Sequence, residues 1–501
     1  MGKSKRRNRR PTEDPAGASK SQNTARMRAR LAYLISGFPL FGALSAERDA
    51  IQKELSRLTY PILTLPVEIT TEIFYHCLPI SPEEPSPHRA PMLLVNVCRD
   101  WRNIAVSSHG LWSSFRIRFK YETWEISFSH LKTWLLRSGS HPLSLHLAQN
   151  NYSRVTDFES SDLMDEICEH SGRWSDMHLS LPWHSFVLLE KRLNRPLPSL
   201  RKLRLSGESV YEFLFPTTYA SLSAFATAPA LREVQIESLI LPFLIPSGLP
   251  WAQLTTFKGM DFSANQCIRV LEIGSSIQDC TFRLTTAEVG FDPLLGLSSE
   301  ALQLIAVQKL SLQGGYHTHQ ISLLNQLTLP NLHQLAVSFD PEPNPSLLSF
   351  LDRSNCTLTS LKMVSEQGLN EEDFIRCIFM LPTLVDLDVT YSVSVGQSSR
   401  TFELLHSRNG LLPSLAALHV TTSGLMHSAD FGILAEMLHS RSSSTTSDDL
   451  DSTAALYSFT LCLTRYTEVE PNVESVEILS ALVAQGMHIC IKGSSGLAVL
   501  L

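Results

Sequence analysis

No Cys-x-x-Cys pair occurs in this chain, whose nine cysteines lie scattered from Cys77 to Cys490. Their odd number and spacing suggest neither a zinc finger nor a disulfide framework, so a reducing cytosol or nucleus is the expected setting. Gly-x-Ser-x-Gly, a Walker-type phosphate loop, Gly-x-Gly-x-x-Gly and His-Glu-x-x-His are all missing too. Their absence removes the common local signatures of hydrolysis, nucleotide use and zinc catalysis, although dispersed catalytic groups would leave no such spacing. Long apolar runs are scarce: Leu31 to Leu44 spans 14 residues and holds Pro39, whereas a helix crossing a bilayer needs about 20. Charge is scarce as well, at 18% against 43% hydrophobic residues, a balance that suits an extensively buried globular chain. Neither a cofactor nor a metal is expected.

The charge that is present is unevenly placed. Residues 1–30 hold ten Lys/Arg against Glu13 and Asp14, a local +8, and with −7 overall the rest of the chain carries −15. An acidic body argues against a nucleic-acid-binding surface on the main domain, because phosphate contact needs clustered Lys/Arg, which only the tail offers. Lys3, Lys5, Arg6, Arg7, Arg9 and Arg10 read either as a plain disordered tail or as a nuclear-localisation cluster. With the apolar run behind it and the small Ala43 and Ser45 near a cleavage point, the tail also fits a targeting leader, though thirty residues is a long lead-in.

Next, Leu44, Ile51, Leu55 and Leu58 fall on one helical stripe, giving a short amphipathic helix over 45–59. Tyr60 to Phe115 is the most informative segment. Pro66 suits a first helical position and Glu68 the first turn, where the helix dipole favours a carboxylate. Leu65, Ile69, Ile73 and Cys77 then recur every fourth residue until Pro79 ends the helix, and Pro82, Pro85, Pro87 and Pro91 forbid its continuation. A second helix is predicted from near Pro91, with Leu94, Val97, Cys98, Trp101 and Ile104 at helical spacing.

Leu65-Pro66-x-Glu68-Ile69, Ile73-Phe74, Val97-Cys98-Arg99-x-Trp101 and Leu111-Trp112 together resemble an F-box, over about a tenth of the chain. The proline-rich insert, residues 79–91, departs from the compact form and resembles the longer-linked F-box-like proteins of fungi. The resemblance implies a Skp1-like partner, membership of a cullin-containing ubiquitin ligase, and no bond chemistry of its own. Leu65, Pro66, Ile69, Ile73, Phe74, Leu94, Val97, Cys98, Trp101, Leu111 and Trp112 would then be the adaptor-binding residues. A module of some fifty residues is too small to cover them all, which would leave an exposed apolar face. The plainer alternative makes Trp101 and Trp112 ordinary core aromatics. A scaffold of the same architecture outside ubiquitin ligation stays open.

Trp124, Phe128, Leu131 and Leu135 mark a further helix with Gly139 past its end, and the strand-like Leu143 to Leu147 follows. From there the chain repeats itself. Leu-x-x-Leu-x-(Leu/Val/Ile) occurs at Leu200/Leu203/Leu205, Leu231/Val234/Ile236, Leu332/Leu335/Val337, Leu358/Leu361/Met363, Leu384/Leu387/Val389 and Leu415/Leu418/Val420, five of the six with Pro two residues earlier. Degenerate copies begin at Trp174, Leu254, Ile277, Val307 and Leu456. Most steps fall at or near the 20–29 residue period of leucine-rich repeats, which this region resembles loosely: Glu208, Leu239, Asp340 and Ser392 stand where Asn or Cys is usual. Each unit would bury two or three such side chains at about 1.5–3 kcal/mol each.

The expected fold class is therefore α/β, a small all-α F-box module followed by an irregular leucine-rich-repeat-like α/β solenoid. Its expected parts are 1–44 (basic disordered tail and short apolar segment), 45–59 (amphipathic helix), 60–115 (F-box-like helical module), 116–172 (linking helices and first strand) and 173–501 (solenoid with a polar loop at 440–453). In that loop the hydroxyls before Asp448 and Asp449 read as plain disorder or as phosphate acceptors. His317 and His319, with no third ligand, read as a surface loop beside Gly314-Gly315, and Gly493 to Gly496 as a flexible turn. The target cannot be read, because the positions between the leucines show no telling pattern.

Overall fold

A computed structural model describes residues 23, 25–33, 42–56, 65–149, 157–207, 223–237, 248–285, 301–315, 317–339, 345–365, 371–391, 402–422, 428–442, 454–463, 472–492 and 498–500. The basic cluster at 3–10, most of the polar loop at 440–453, the Gly493 to Gly496 turn and the four positions Glu208, Leu239, Asp340 and Ser392 lie outside them. Among the described residues, no helix is long and apolar enough to cross a membrane.

The chain divides into two compact units: Met1–Pro79 with Ser86–Leu111, and Ile80–Pro85 with Trp112–Leu501. In the first, residues 25–33 are helical within the segment expected to be a disordered tail, and Gly42–Ser56 is the amphipathic helix. Val67–His76 follows, with Pro66 as its N-cap rather than its first helical residue. The second predicted helix is in fact two, Met92–Val95 and Arg99–Ser107. Cys98 is extended at the break and its Sγ accepts from the Trp101 N–H at 3.5 Å, so this residue serves as a cap.

Among the described residues the second unit is built on a fifteen-stranded sheet in which space follows chain order, beside a separate two-stranded parallel pair, Leu302–Gln303 with Leu327–Thr328. Every pair is parallel except the last, His488–Lys492 with Ala498–Leu500. All the predicted repeat cores are strands, but the array begins about sixty residues before position 173. Ser114–Phe119 and Leu143–Gln149 already pair in register, Phe115 opposite Leu145 and Ile117 opposite Leu147. Parallel neighbours need crossovers long enough to return the chain. Trp124–Arg137 is such a crossover, closed by Gly139 at φ 54°, a left-handed position where glycine meets no Cβ penalty.

Register turns the repeat into continuous inward ladders. One runs Phe115, Leu145, Met177, Leu203, Val234, Phe257, Cys280, Leu310, Leu335, Leu361, Leu387, Leu418, Phe459, Ile489, every member buried. In the parallel ladder two residues on, Gly259 holds the place of a large side chain. A Cβ there would stand 3.1 Å from the Phe262 and Phe282 rings and 3.2 Å from Phe257, whose aromatic cluster fills the gap instead.

The recurrent proline also has a local cause. In each of the five proline-bearing units the repeat's first leucine donates its N–H to the residue before the proline. The pairs are Leu200 to Leu197, Leu231 to Ala228, Leu332 to Leu329, Leu384 to Leu381 and Leu415 to Leu412, at 3.1–3.4 Å. Proline thus sits at the second position of a tight turn, where its fixed φ is already correct, and the leucine is swung inward to start the strand.

Arginines tie successive units at the ends of crossovers. Arg173 donates to the carbonyls of Leu135, Gly139 and His141, and Arg353 to those of Leu324 and Leu327. Arg441, fully buried, donates to the carbonyls of Leu405, Leu411 and Leu412. Each satisfies carbonyls that a helix end or loop leaves without a partner. His317 is not in a loop: it opens the crossover helix His317–Asn325, in which His319 Nδ1 lies 3.2 Å from the Thr285 carbonyl.

Candidate docking site

In the first unit the Val67–His76 helix carries two adjacent apolar stripes. Thr70 and Phe74 turn inward and are buried. Phe74 packs on Trp101 of the Arg99–Ser107 helix, ring centroids 4.9 Å apart. Leu65, Ile69 and Ile73, a quarter-turn away, run toward solvent: Leu65 is 38% exposed, Ile69 50%, and Ile73 half-buried. From the following segment Val97 is 53% exposed and Leu93 44%, while Cys98 and Trp101 are half-buried. Arg102 is held in place by donating its Nε–H to the Val95 carbonyl at 2.7 Å.

The expected adaptor-binding set therefore separates. Leu65, Pro66, Ile69 and Val97 are exposed, and Ile73, Cys98 and Trp101 are half-buried. Phe74, Leu94, Leu111 and Trp112 are buried, so these four of the eleven expected residues are not part of any apolar face left uncovered. The reason is geometric: a helix this small must turn one stripe inward to have a core at all. Trp112 moreover belongs to the second unit. There it packs edge-on against Trp134 at 4.9 Å, with the Arg137 guanidinium 4.3 Å above its ring. Helical spacing alone did not single out Val67, Leu93 and Val106, which are also exposed apolar residues of the first unit.

The second unit offers the outward face of its sheet, where side chains between the ladder leucines point away from the core. At three places along it opposite charges oppose each other across strands. Glu233 meets Lys202 at 3.0 Å and Lys258 at 3.5 Å, Asp279 meets Lys309 at 3.7 Å, and Asp388 meets Lys362 at 2.6 Å. At the first four strands the same row reads Arg116, His146, His178, Arg204.

No family model matches this sequence, and neither does any curated protein. Among solved structures the chain is similar to the leucine-rich repeat-containing protein LegL7 from Legionella pneumophila, at a TM-score of 0.31 and 14% identity, over 66% of this chain and 95% of that one. The fold described above rests on the chain's own sheet and registers.

Proposed function

We propose that this protein is a non-catalytic adaptor of the Skp1-cullin-F-box type of ubiquitin ligase. Its first unit docks a Skp1-like protein, and the outward face of its repeat sheet holds a target protein. The observation that carries the reading is that Leu65, Ile69, Leu93 and Val97, apolar residues of the F-box-like segment, are all exposed. Covering them is the gain a partner's apolar groove would supply. The contribution to ligation is proximity, since holding a target beside a conjugating enzyme raises the effective concentration of its lysines. Such an adaptor works in the cytoplasm or nucleus, needs no cofactor, and makes no contact with membrane.

The test is co-expression of the full chain with a Skp1-like protein. Stoichiometric co-purification is expected, and the Ile69→Asp, Val97→Asp double variant should lose it while keeping the wild-type melting temperature. Those two sites are exposed, so failure to fold would not confound the result as it would for Phe74→Ala. Undiminished co-purification of the double variant, or none with the wild type, would remove the docking reading.

A further inference from the structure

Within the second unit, the first four strands bring Arg116, His146, His178 and Arg204 into one outward row, one residue per strand. Neighbouring strands lie about 4.8 Å apart, so the row is compact. The two imidazoles stack face to face, centroids 3.7 Å apart and 18° from parallel. On one side the row is flanked by Arg118, Ala148, Ser180 and Ser206, on the other by Ser114, Ser144, Asp176 and Lys202, so serine hydroxyls border it on both sides.

This patch differs from the places along the face where Lys202, Lys258, Lys309 and Lys362 each meet a carboxylate. Among the described residues neither the Arg116 nor the Arg204 guanidinium meets a carboxylate within ion-pair distance, and the Nε–H of each is buried without an acceptor. Arg118, one step along the first strand, is engaged by Glu84 at 3.4 Å. Asp176 is the nearby acid; burial pushes its carboxyl up while Arg204 and Lys202 pull it down, and it makes no ion pair with either arginine of the row. Burial and the flanking arginines push His146 down to about 3 and His178 down to about 4. Both rings are therefore neutral at pH 7, and each keeps one N–H to donate.

We propose that Arg116, His146, His178 and Arg204 form a binding site for a phosphate dianion, borne on a monoester or free. Two guanidiniums at the flanks supply permanent charge and forked donors, and two imidazoles at the centre supply N–H groups without adding repulsion. The surrounding hydroxyls of Ser114, Ser144, Ser180 and Ser206 can complete the oxygen contacts. A polyanion is disfavoured, because beyond the first thirty residues the chain carries −15. The site stands independently of the docking reading, since it uses none of the same residues. The dianion can come from a phosphorylated side chain of a protein or from the free ion.

Calorimetric titration of the full chain with inorganic phosphate tests the site. Saturable binding is expected, weakened at least tenfold in Arg204→Gln and in Arg116→Gln. Lys362→Gln, on the same outward row far along the sheet, should leave it unchanged. Melting temperatures of the variants separate loss of binding from loss of fold. A phosphoserine hexapeptide that binds tighter than inorganic phosphate, while its unphosphorylated form does not bind, assigns the protein-borne source. A peptide no tighter than phosphate assigns the free ion. No saturable phosphate binding, equal weakening by Lys362→Gln, or a single-stranded oligonucleotide that binds better than either probe would overturn the proposal.

Discussion

Arg441 is a fully buried cation with no carboxylate partner among the described residues, and burial pushes its guanidinium down to about 10. What holds it is three backbone carbonyls: Leu412 at 3.1 Å from Nη1, with Leu405 and Leu411 taken by Nε and Nη2. Replacing a buried ion pair by apolar residues is often neutral, because both charges leave together. Here the acceptors belong to the main chain and stay behind. Hydrogen bonds to a charged donor contribute about 1.5–3 kcal/mol each, so three amount to roughly 4.5–9 kcal/mol gross. Desolvating the lone cation costs several kcal/mol and offsets part of that, so Arg441→Ala should lose about 3 kcal/mol net.

The side chain that replaces arginine discriminates the cause. Alanine leaves space into which water can enter and serve the carbonyls. Methionine fills that space with apolar atoms, so Arg441→Met should be no more stable than Arg441→Ala, while Arg441→Lys, with fewer donors, should fall between alanine and wild type. A stack of repeats need not unfold in one step, so a global midpoint would blur the effect. Hydrogen exchange of the amides in Ala417–Thr422, read as local opening free energies, is the suitable assay. If Arg441→Met exchanges within about 0.5 kcal/mol of wild type, the side chain acts by filling volume and the carbonyl argument is wrong.

Three further outcomes follow from packing and charge. Gly259→Val would press a side chain into the rings of Phe257, Phe262 and Phe282 and should cost about 1–3 kcal/mol as overpacking, seen as a lower thermal midpoint; an unchanged midpoint would show that the cluster yields. Trp112→Ala should destabilise the repeat body by about 3–5 kcal/mol through loss of its contact with Trp134, measured by urea titration, whereas Ile69→Asp should leave that transition in place. His146 and His178 are held below the ordinary histidine range, to about 3 and about 4, by burial first, then His146 by His178 and the nearby arginines and His178 by Arg204 and Arg116. The unfolded chain therefore binds their protons first as pH falls. The stability they support is intact above about pH 6.5 and is lost as pH drops from there through about 4 and 3. The slope is at most about 1.4 kcal/mol per pH unit per histidine, reduced by solvent screening because both are partly exposed. His146→Ala, His178→Ala should flatten an acid titration of the thermal midpoint over that window, and an unaltered profile would show that other groups set it.

The repeat body was legible because its signal is redundant. Each unit states the same three buried positions, so even degenerate copies such as Leu254/Phe257 and Ile277/Cys280/Phe282 land on strands. The opening strand, Ser114–Phe119, was missed because Phe115-Arg116-Ile117-Arg118-Phe119 has alternation without leucines. In the helical unit the limit was different in kind. Spacing shows that Ile69 and Phe74 both belong to apolar stripes, but two stripes a quarter-turn apart satisfy the same periodicity, and only the partner helix decides which is buried. Phe74 went inward because Trp101 stands opposite it. The break before Arg99 was hidden for a related reason, since Leu94, Val97 and Trp101 keep a helical spacing whether or not the turn at Asn96 to Cys98 is helical.

The outward row was illegible for a stronger reason, which also bears on what it does. Arg116, His146, His178 and Arg204 are separated by 30, 32 and 26 residues in the chain, and only strand register makes them neighbours. Elsewhere on that face, register brings opposite signs together, as in Lys202, Glu233, Lys258 and in Asp279, Lys309. Four charged basic residues in succession would work against the sheet, because like charges directly opposite are destabilising. Histidine is the basic side chain that escapes this by shedding its proton near neutral pH. A lysine at either central position would keep its charge directly beside one of the arginines, with the third cation only one further strand away. His178→Lys should accordingly lower the thermal midpoint, and added phosphate should restore more of that loss than it adds to the wild type. A variant that melts like the wild type in both conditions would show that the row is a chance juxtaposition of solvated side chains.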